Sequence, residues 1–297
     1  MNRRRFLRLF GLGALASAML GTYAVAIEPL YRLRITRRAF TPPRWTPGLR
    51  LRVAMLADLH ACDPWMPRER VGRIVAATNA LKPDIVLLLG DYVSSMRLTT
   101  RHTPPAEWAG LLAGLEAPLG THAVLGNHDW WEDAAARARG HGPVEAGEAL
   151  EAAGIPVLEN RAVRLEKNGR GFWIAGLGDQ LAFTGSSAYR RWRGVDDLPA
   201  TLAQIDDEAP VLLMAHEPDV FVRVPDRVSL TLSGHTHGGQ VRLLGWSPVV
   251  PSRYGNRYAY GHVIEEGRHL VVSGGLGCSI APIRFGSPPE IAVLDLG

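Results

Sequence analysis

Five short polar segments, each following an apolar run, constrain this chain more than any other feature. They are Asp58-Leu59-His60, Gly90-Asp91, Gly126-Asn127-His128-Asp129, His216 and Gly234-His235-Thr236-His237. The preceding runs, such as Ile85-Val86-Leu87-Leu88-Leu89, read as strands covered on both faces. Taken singly, each segment has an ordinary reading: Asp58 as a helix cap, Gly90-Asp91 as a turn, Asn127 as a loop residue. As an ordered set they offer carboxylates, an amide and several imidazoles, and burying so many polar groups without purpose is costly. Ligand groups in open α/β sheets gather at the carboxyl ends of strands. The pattern therefore predicts an α/β fold with a site for two divalent cations at strand ends.

The residue types fit that chemistry. In an extended strand, a spacing of two would send Asp58 and His60 to the same side. Gly90 has no Cβ and lets the backbone approach the centre, while the two oxygens of Asp91 suit a bridge between cations. Asn127 adds a neutral oxygen, and His216, His235 and His237 add nitrogens. Mixed nitrogen and oxygen ligation suits Mn, Fe, Zn or Co better than Ca or Mg, and no structural-zinc cysteine spacing is present. His102, His122, His141, His262 and His269 fall outside the pattern and read as surface or core residues. Cys62 and Cys278 flank the expected centre; one disulfide, free thiols or a supporting role stay open, and neither is placed in the site.

The motifs run from Asp58 to His237, so a domain boundary between them would divide the site; one domain over residues 49–297 fits. The net charge of +4 resides in Arg3, Arg4, Arg5 and Arg8. Without a basic footprint on the main domain, no stable nucleic-acid partner is expected. Leu9 to Ile27 is a run of nineteen uncharged residues after those arginines, the pattern of an export signal. Arg3-Arg4-x-Phe6-Leu7-Arg8 resembles a twin-arginine signal, with Asn2 where Ser or Thr is usual. Ala24-Val25-Ala26 offers a small-residue cleavage site, while nineteen apolar residues can also just span a bilayer. Either as signal or as retained anchor, residues 1–27 would engage the export machinery and place the globular part in the periplasm, beside the membrane surface. Residues 28–48 read as a half-exposed strand at Tyr31–Ile35, then a linker broken by Pro42, Pro43, Pro47 and Gly48. Beyond it, the spacing predicts a helix over 68–81, strands at 49–57, 85–89, 121–125, 172–176, 211–215, 230–233, 269–273 and 291–296, and helices within 132–139, 144–153 and 198–205.

The order D-x-H, GD, GNHD, strand-end His and GHTHGG resembles the calcineurin-like metallophosphoesterase superfamily over about residues 50–297. Gly238-Gly239-Gln240-Val241-Arg242, Tyr254-Gly255, Gly275-Leu276-Gly277 and Pro282 to Glu290 resemble its bacterial branch of exported or membrane-associated phosphodiesterases. Relatives in that branch include UDP-2,3-diacylglucosamine pyrophosphatases of lipid A biosynthesis. The resemblance implies a four-layer α-β-β-α sandwich of two mixed sheets and a dinuclear metal-dependent phosphoric ester hydrolase. It assigns Asp58, His60, Asp91 and His237 to one ion, and Asp91, Asn127, His216 and His235 to the other. It further implies in-line attack by a metal-bridging hydroxide, with His128, oriented by Asp129, acting on the leaving oxygen. Arg284 and Trp130 are expected to contact substrate, by bidentate phosphate binding and by stacking. The expected substrate is a phosphodiester or lipid-linked phosphate. A lipid A pyrophosphatase and a non-catalytic metal-binding module are the alternatives.

Overall fold

The computed structural model describes residues 2–183 and 193–297. Helix α1 (Arg3–Thr22) continues through a π-helical turn at Tyr23–Ile27 into α2 (Glu28–Tyr31). There follow β1 (Arg34–Phe40), β2 (Leu51–Leu56), β3 (Cys62–Asp63), α3 (Arg68–Ala80), β4 (Ile85–Leu89), β5 (Arg101–His102), α4 (Pro105–Leu112) and β6 (Thr121–Val124). Next come α5 (Asn127–Trp131), α6 (Ala134–Arg139), α7 (Glu145–Ala152), β7 (Arg161–Lys167), β8 (Arg170–Gly176) and α8 (Leu198–Leu202). The chain ends with β9 (Val211–Met214), β10 (Leu230–Ser233), β11 (Gly261–Glu265), β12 (Arg268–Val272) and β13 (Glu290–Leu296).

Alternation along the strands builds the layers. In β2 and β4, Leu51, Val53, Met55, Ile85, Leu87 and Leu89 face a central apolar layer, while Ala54, Leu56, Val86 and Leu88 face the other way. Phe172, Ile174, Leu212 and Met214 meet that central layer from the opposite side, and their neighbours Trp173, Ala175, Val211 and Leu213 point outward. Each sheet is thus apolar on both faces, as a continuous apolar strand requires. Val71 and Ile74 of α3, Trp108 of α4 and Leu150 of α7 cover the first sheet, and Leu198 of α8 with Phe221 covers the second. The result is the expected α-β-β-α sandwich. Among the described residues the first sheet is ordered β1-β13-β2-β4-β6 and the second β11-β12-β10-β9-β8-β7. Both are mixed: β2, β4 and β6 run parallel, as do β8, β9, β10 and β12, with antiparallel partners beside them.

Two departures from expectation occur at sheet edges. The strand expected at Tyr31–Ile35 falls instead at Arg34–Phe40. Residues 28–31 are helical, and β1 pairs in parallel with β13 from Arg34↔Glu290 to Phe40↔Leu296, so it belongs to the main sheet. Its arginines, Arg34, Arg37 and Arg38, suit an edge, where charge discourages further pairing. The strands β7 and β11 escape sequence reading for a related reason: a half-exposed edge strand lacks the apolar run that marks a central one. Leu87 lies fully buried between the sheets. Leu87→Ala is expected to lower unfolding stability by about 2–5 kcal/mol, seen as a lower urea midpoint at unchanged slope.

Candidate metal centre

The loops that leave the carboxyl ends of β2, β4, β6, β9 and β10 converge on one buried cluster. Ligand atoms of Asp58, His60, Asp91 and His237 lie within 4.8 Å of one another, as do those of Asp91, His216 and His235. Asp91 belongs to both groups. Its Oδ2 sits 3.6 Å from His60 Nε2 and 3.2 Å from His216 Nε2, while its Oδ1 accepts the His128 N–H at 2.8 Å. Asn127 Oδ1 lies 2.9 Å from His235 Nδ1, and His60 Nε2 lies 3.2 Å from His237 Nε2. All seven expected ligand residues are therefore brought together, each at most 9 % exposed.

The route to this convergence differs from the simple strand argument. The strand β2 ends at Leu56, and Asp58 and His60 adopt φ of 55° and 47°. Asp91, His235 and His237 share this left-handed region, at 58°, 68° and 52°. For residues with a Cβ such backbone costs of the order of 1–3 kcal/mol each and persists only where surrounding structure over-determines it. Gly90 shows how close that structure is. A Cβ there would lie 2.6 Å from the Gly126 nitrogen and 2.7 Å from His216 Nδ1, at a φ of +89°.

Supporting contacts aim the imidazoles. His60 Nδ1 lies 3.0 Å from the Val93 carbonyl and His216 Nδ1 2.6 Å from that of Leu89, which turns both Nε2 atoms toward Asp91. Burial pushes His60 down to about 3 and His235 down to about 4, so both keep free lone pairs at neutral pH. Burial also drives His237 well below the usual histidine range. The Asp58 carboxyl is pushed up to about 7 by burial, against the pull of His216. Asp58 Oδ2 is buried without a hydrogen-bond partner, and His216 Nε2 has only the Asp91 carboxylate beside it. Such orphaned acceptors are expensive, and divalent cations are the partners that this donor set fits.

Other site residues fall differently from expectation. Asp129 does not orient the His128 ring. Its oxygens accept the backbone N–H groups of Asp91, Tyr92, Val93 and Gly126 at 2.9–3.1 Å, which clamps the Asp91 loop to the Asn127 loop. The ring of His128 instead presents Nε2 to Ser279 Oγ at 3.2 Å. Trp130 is fully buried against Phe183, so it offers substrate no surface. The neighbouring Trp131, half-buried, lies edge-on to His128 and lines the adjoining cleft. Arg284 is likewise fully buried, bonded to the carbonyls of Gly274, Gly277 and Ser287, with Nη2 3.3 Å from His237 Nδ1. It braces His237 from within the core and presents no free surface to a substrate. Cys62 and Cys278 are free and buried.

Sequence reading passed over Ser279 and Asp179. Gly178-Asp179 follows β8 much as Gly90-Asp91 follows β4, and that strand-end signal could have found it. Asp179 is buried, and burial together with the adjacent Glu217 holds its carboxyl well above the usual range. A cleft of about 840 Å³ opens beside the centre, lined by His235, Glu217, Trp131, Arg223, Arg253 and Tyr254 among others.

Comparison with known proteins decides the family. The sequence pattern described as calcineurin-like phosphoesterase matches residues 51–239. The chain is a member of that family. It is 30% identical to the uncharacterized metallophosphoesterase YkuE of Bacillus subtilis (strain 168), over 100% of this chain and 98% of that protein. It is 32% identical to phosphodiesterase YaeI of Escherichia coli (strain K12), over 100% of this chain and 99% of that one. Among solved structures, a dimetal phosphatase from Danio rerio matches 76% of this chain and 88% of its own, with 12% identity and a TM-score of 0.41. Family and site together make the protein a metal-dependent phosphoester hydrolase.

Two outcomes are expected of the centre. Asp91→Ala removes the residue common to both ligand groups, so metal analysis after loading with Mn²⁺ should find less than one equivalent per chain. Asp58 must be ionised to ligate yet sits at about 7 when no cation is bound. Metal binding at pH 6 should then release a proton, and affinity should fall as pH drops below 7. Calorimetric titration at pH 6 in buffers of differing ionisation heat reads this directly; equal heats in all buffers contradict it.

Proposed function

We propose that this phosphoesterase hydrolyses a phosphodiester with two divalent cations, on the far side of the cytoplasmic membrane. The observation that carries this reading is Asp91, whose carboxylate is shared by the two ligand groups. Asp58, His60 and His237 would complete one ion's shell, and Asn127, His216 and His235 the other's. When bound, the ions supply neutralisation of phosphoryl charge and acidify water.

The chain's own residues do the rest. Asp129 fixes the relative position of the Asp91 and Asn127 loops through four backbone bonds. His128, held at the edge of the centre 5.0 Å from the His60 ring and 3.2 Å from Ser279 Oγ, can give a proton to the leaving oxygen. In the net reaction an oxygen from water joins phosphorus, one ester P–O bond breaks, and the departing alcohol takes a proton. The cleft beside His235 is far larger than a phosphate and has both apolar and cationic walls, which suits a substituted ester. Glu217 on that wall disfavours the extra negative charge of a monoester.

Two alternatives are weaker. A UDP-linked lipid A precursor is made on the cytoplasmic side, which conflicts with export. A non-catalytic metal module has no use for the histidine poised beside the cluster. Export itself is supported by the twin-arginine order and by a helix, Arg3–Tyr31, long and apolar enough to cross a membrane. A similar protein of Danio rerio, 29% identical over 83% of this chain and 53% of its own length, is named a transmembrane protein with metallophosphoesterase domain.

Hydrolysis of bis-p-nitrophenyl phosphate with added Mn²⁺ tests the reading against p-nitrophenyl phosphate as the monoester. The diester should be the better substrate by kcat/KM. His128→Ala should lower kcat by about 10²–10⁴ while retaining both ions; loss of metal in that variant would show a ligand and not a proton donor.

A further inference from the structure

Outside the metal centre, the least explained feature is an apolar hairpin. Leu243 and Trp246 exchange backbone bonds at 2.8 and 2.9 Å around a tip of Leu244 and Gly245. Leu244 is fully exposed, Trp246 58% and Val249 73% exposed. A soluble surface does not usually group such side chains at a loop tip; where it does, the patch marks an interaction site.

The root of this hairpin is tied to the N-terminal helix. Arg242 N–H donates to the Phe285 carbonyl at 2.7 Å, and Phe285 N–H to that of Gln240 at 2.9 Å. The same loop receives the helix: Arg284 N–H bonds the Ala24 carbonyl at 2.9 Å, and the Tyr23 ring meets Phe285 edge-on. Glu28, only 2% exposed, accepts the N–H groups of Gly286 and Ser287 at 3.1 and 2.9 Å. The uncharged stretch Leu9 to Ile27 rises about 28 Å at about 1.5 Å per residue, close to the roughly 30 Å of a hydrocarbon core. The chain first meets the loop that roots the hairpin at Tyr23 and Ala24, so a bilayer holding that stretch ends within its last turns. Such a placement would bring Leu244 and Trp246 to the bilayer surface, where tryptophan is favoured. Immediately after the hairpin, Val250 to Tyr254 form a wall of the catalytic cleft.

We propose that the hairpin 241–249 is a second membrane contact which, with the N-terminal helix, seats the cleft on the lipid surface, so that the substrate is a phosphodiester resident in the bilayer. This rests on the phosphodiesterase reading above. The occupant of the apolar tip is lipid, and its contact with the anchor's exit point is what orients the active site. Arg253, on the cleft wall, meets the anionic headgroup.

The test uses the full chain with Mn²⁺ in vesicles of phosphatidylethanolamine, phosphatidylglycerol and cardiolipin, some with brominated acyl chains. Quenching of tryptophan fluorescence by the brominated lipid should fall by half or more in Trp246→Phe. The double variant Leu244→Asp, Trp246→Ser should cleave bis-p-nitrophenyl phosphate within twofold of the parent, but the vesicle phosphodiesters at least tenfold more slowly. Unchanged quenching in Trp246→Phe, or equal vesicle rates in the double variant, overturns the hairpin contact. So would efficient self-crosslinking of Trp246→Cys, which would identify a second copy as the occupant. A parent protein that cleaves the soluble diester but none of the vesicle lipids overturns the substrate class alone. One that cleaves neither defeats the phosphodiesterase reading itself.

Discussion

Carboxylates and imidazoles packed together out of water lose hydration and leave lone pairs unmatched; something must compensate. At the seam between the two sheets that compensation falls to Asp91, which stands between His60 and His216 while its other oxygen takes a backbone N–H. Burial alone would hold its proton, yet the neighbouring His216 and His128 keep it well below the usual carboxylate range. A charged centre of this kind is unfavourable in a bare protein and favourable around cations. Much of the surrounding architecture can be understood as holding that arrangement in place.

The holding is done in tiers. Strands with two apolar faces fix the directions from which the loops arrive, because each strand is gripped from both sides. Backbone in the left-handed region then turns Asp58, His60, Asp91, His235 and His237 inward. Asp129 and Arg284, two charged residues with almost no exposure, spend their hydrogen-bonding capacity on the main chain of those loops. Neither needs to touch a substrate to matter for catalysis. The strain and the buried charges are concentrated where the chemistry is, as expected of sites that trade stability for preorganisation.

The same loop that carries Arg284 also receives the N-terminal helix, through Glu28 and Ala24. The brace behind His237 and the anchorage of the helix are therefore one structural unit. A helix docked in this way has a fixed place relative to the loop behind His237. The strand expected ahead of position 49 forms slightly later and completes the first sheet as β1.

Chemical identity was legible in the amino-acid order: the seven residues that converge in the cluster and the central strands follow from local patterns, and the family and its layered architecture from the resemblance those motifs carry. An apolar run reports burial, and a polar residue at its end reports where polar groups must meet. Orientation was not legible. Which of two adjacent tryptophans faces the cleft, whether Arg284 reaches outward or lies beneath His237, and what Asp129 grips depend on loops that meet across 36 to 50 residues of chain. Edge strands were missed for the converse reason, since a half-exposed strand carries too little apolar signal to announce itself. Composition names the atoms available to the site; only long-range packing, which sets each loop's backbone angles, decides where those atoms point.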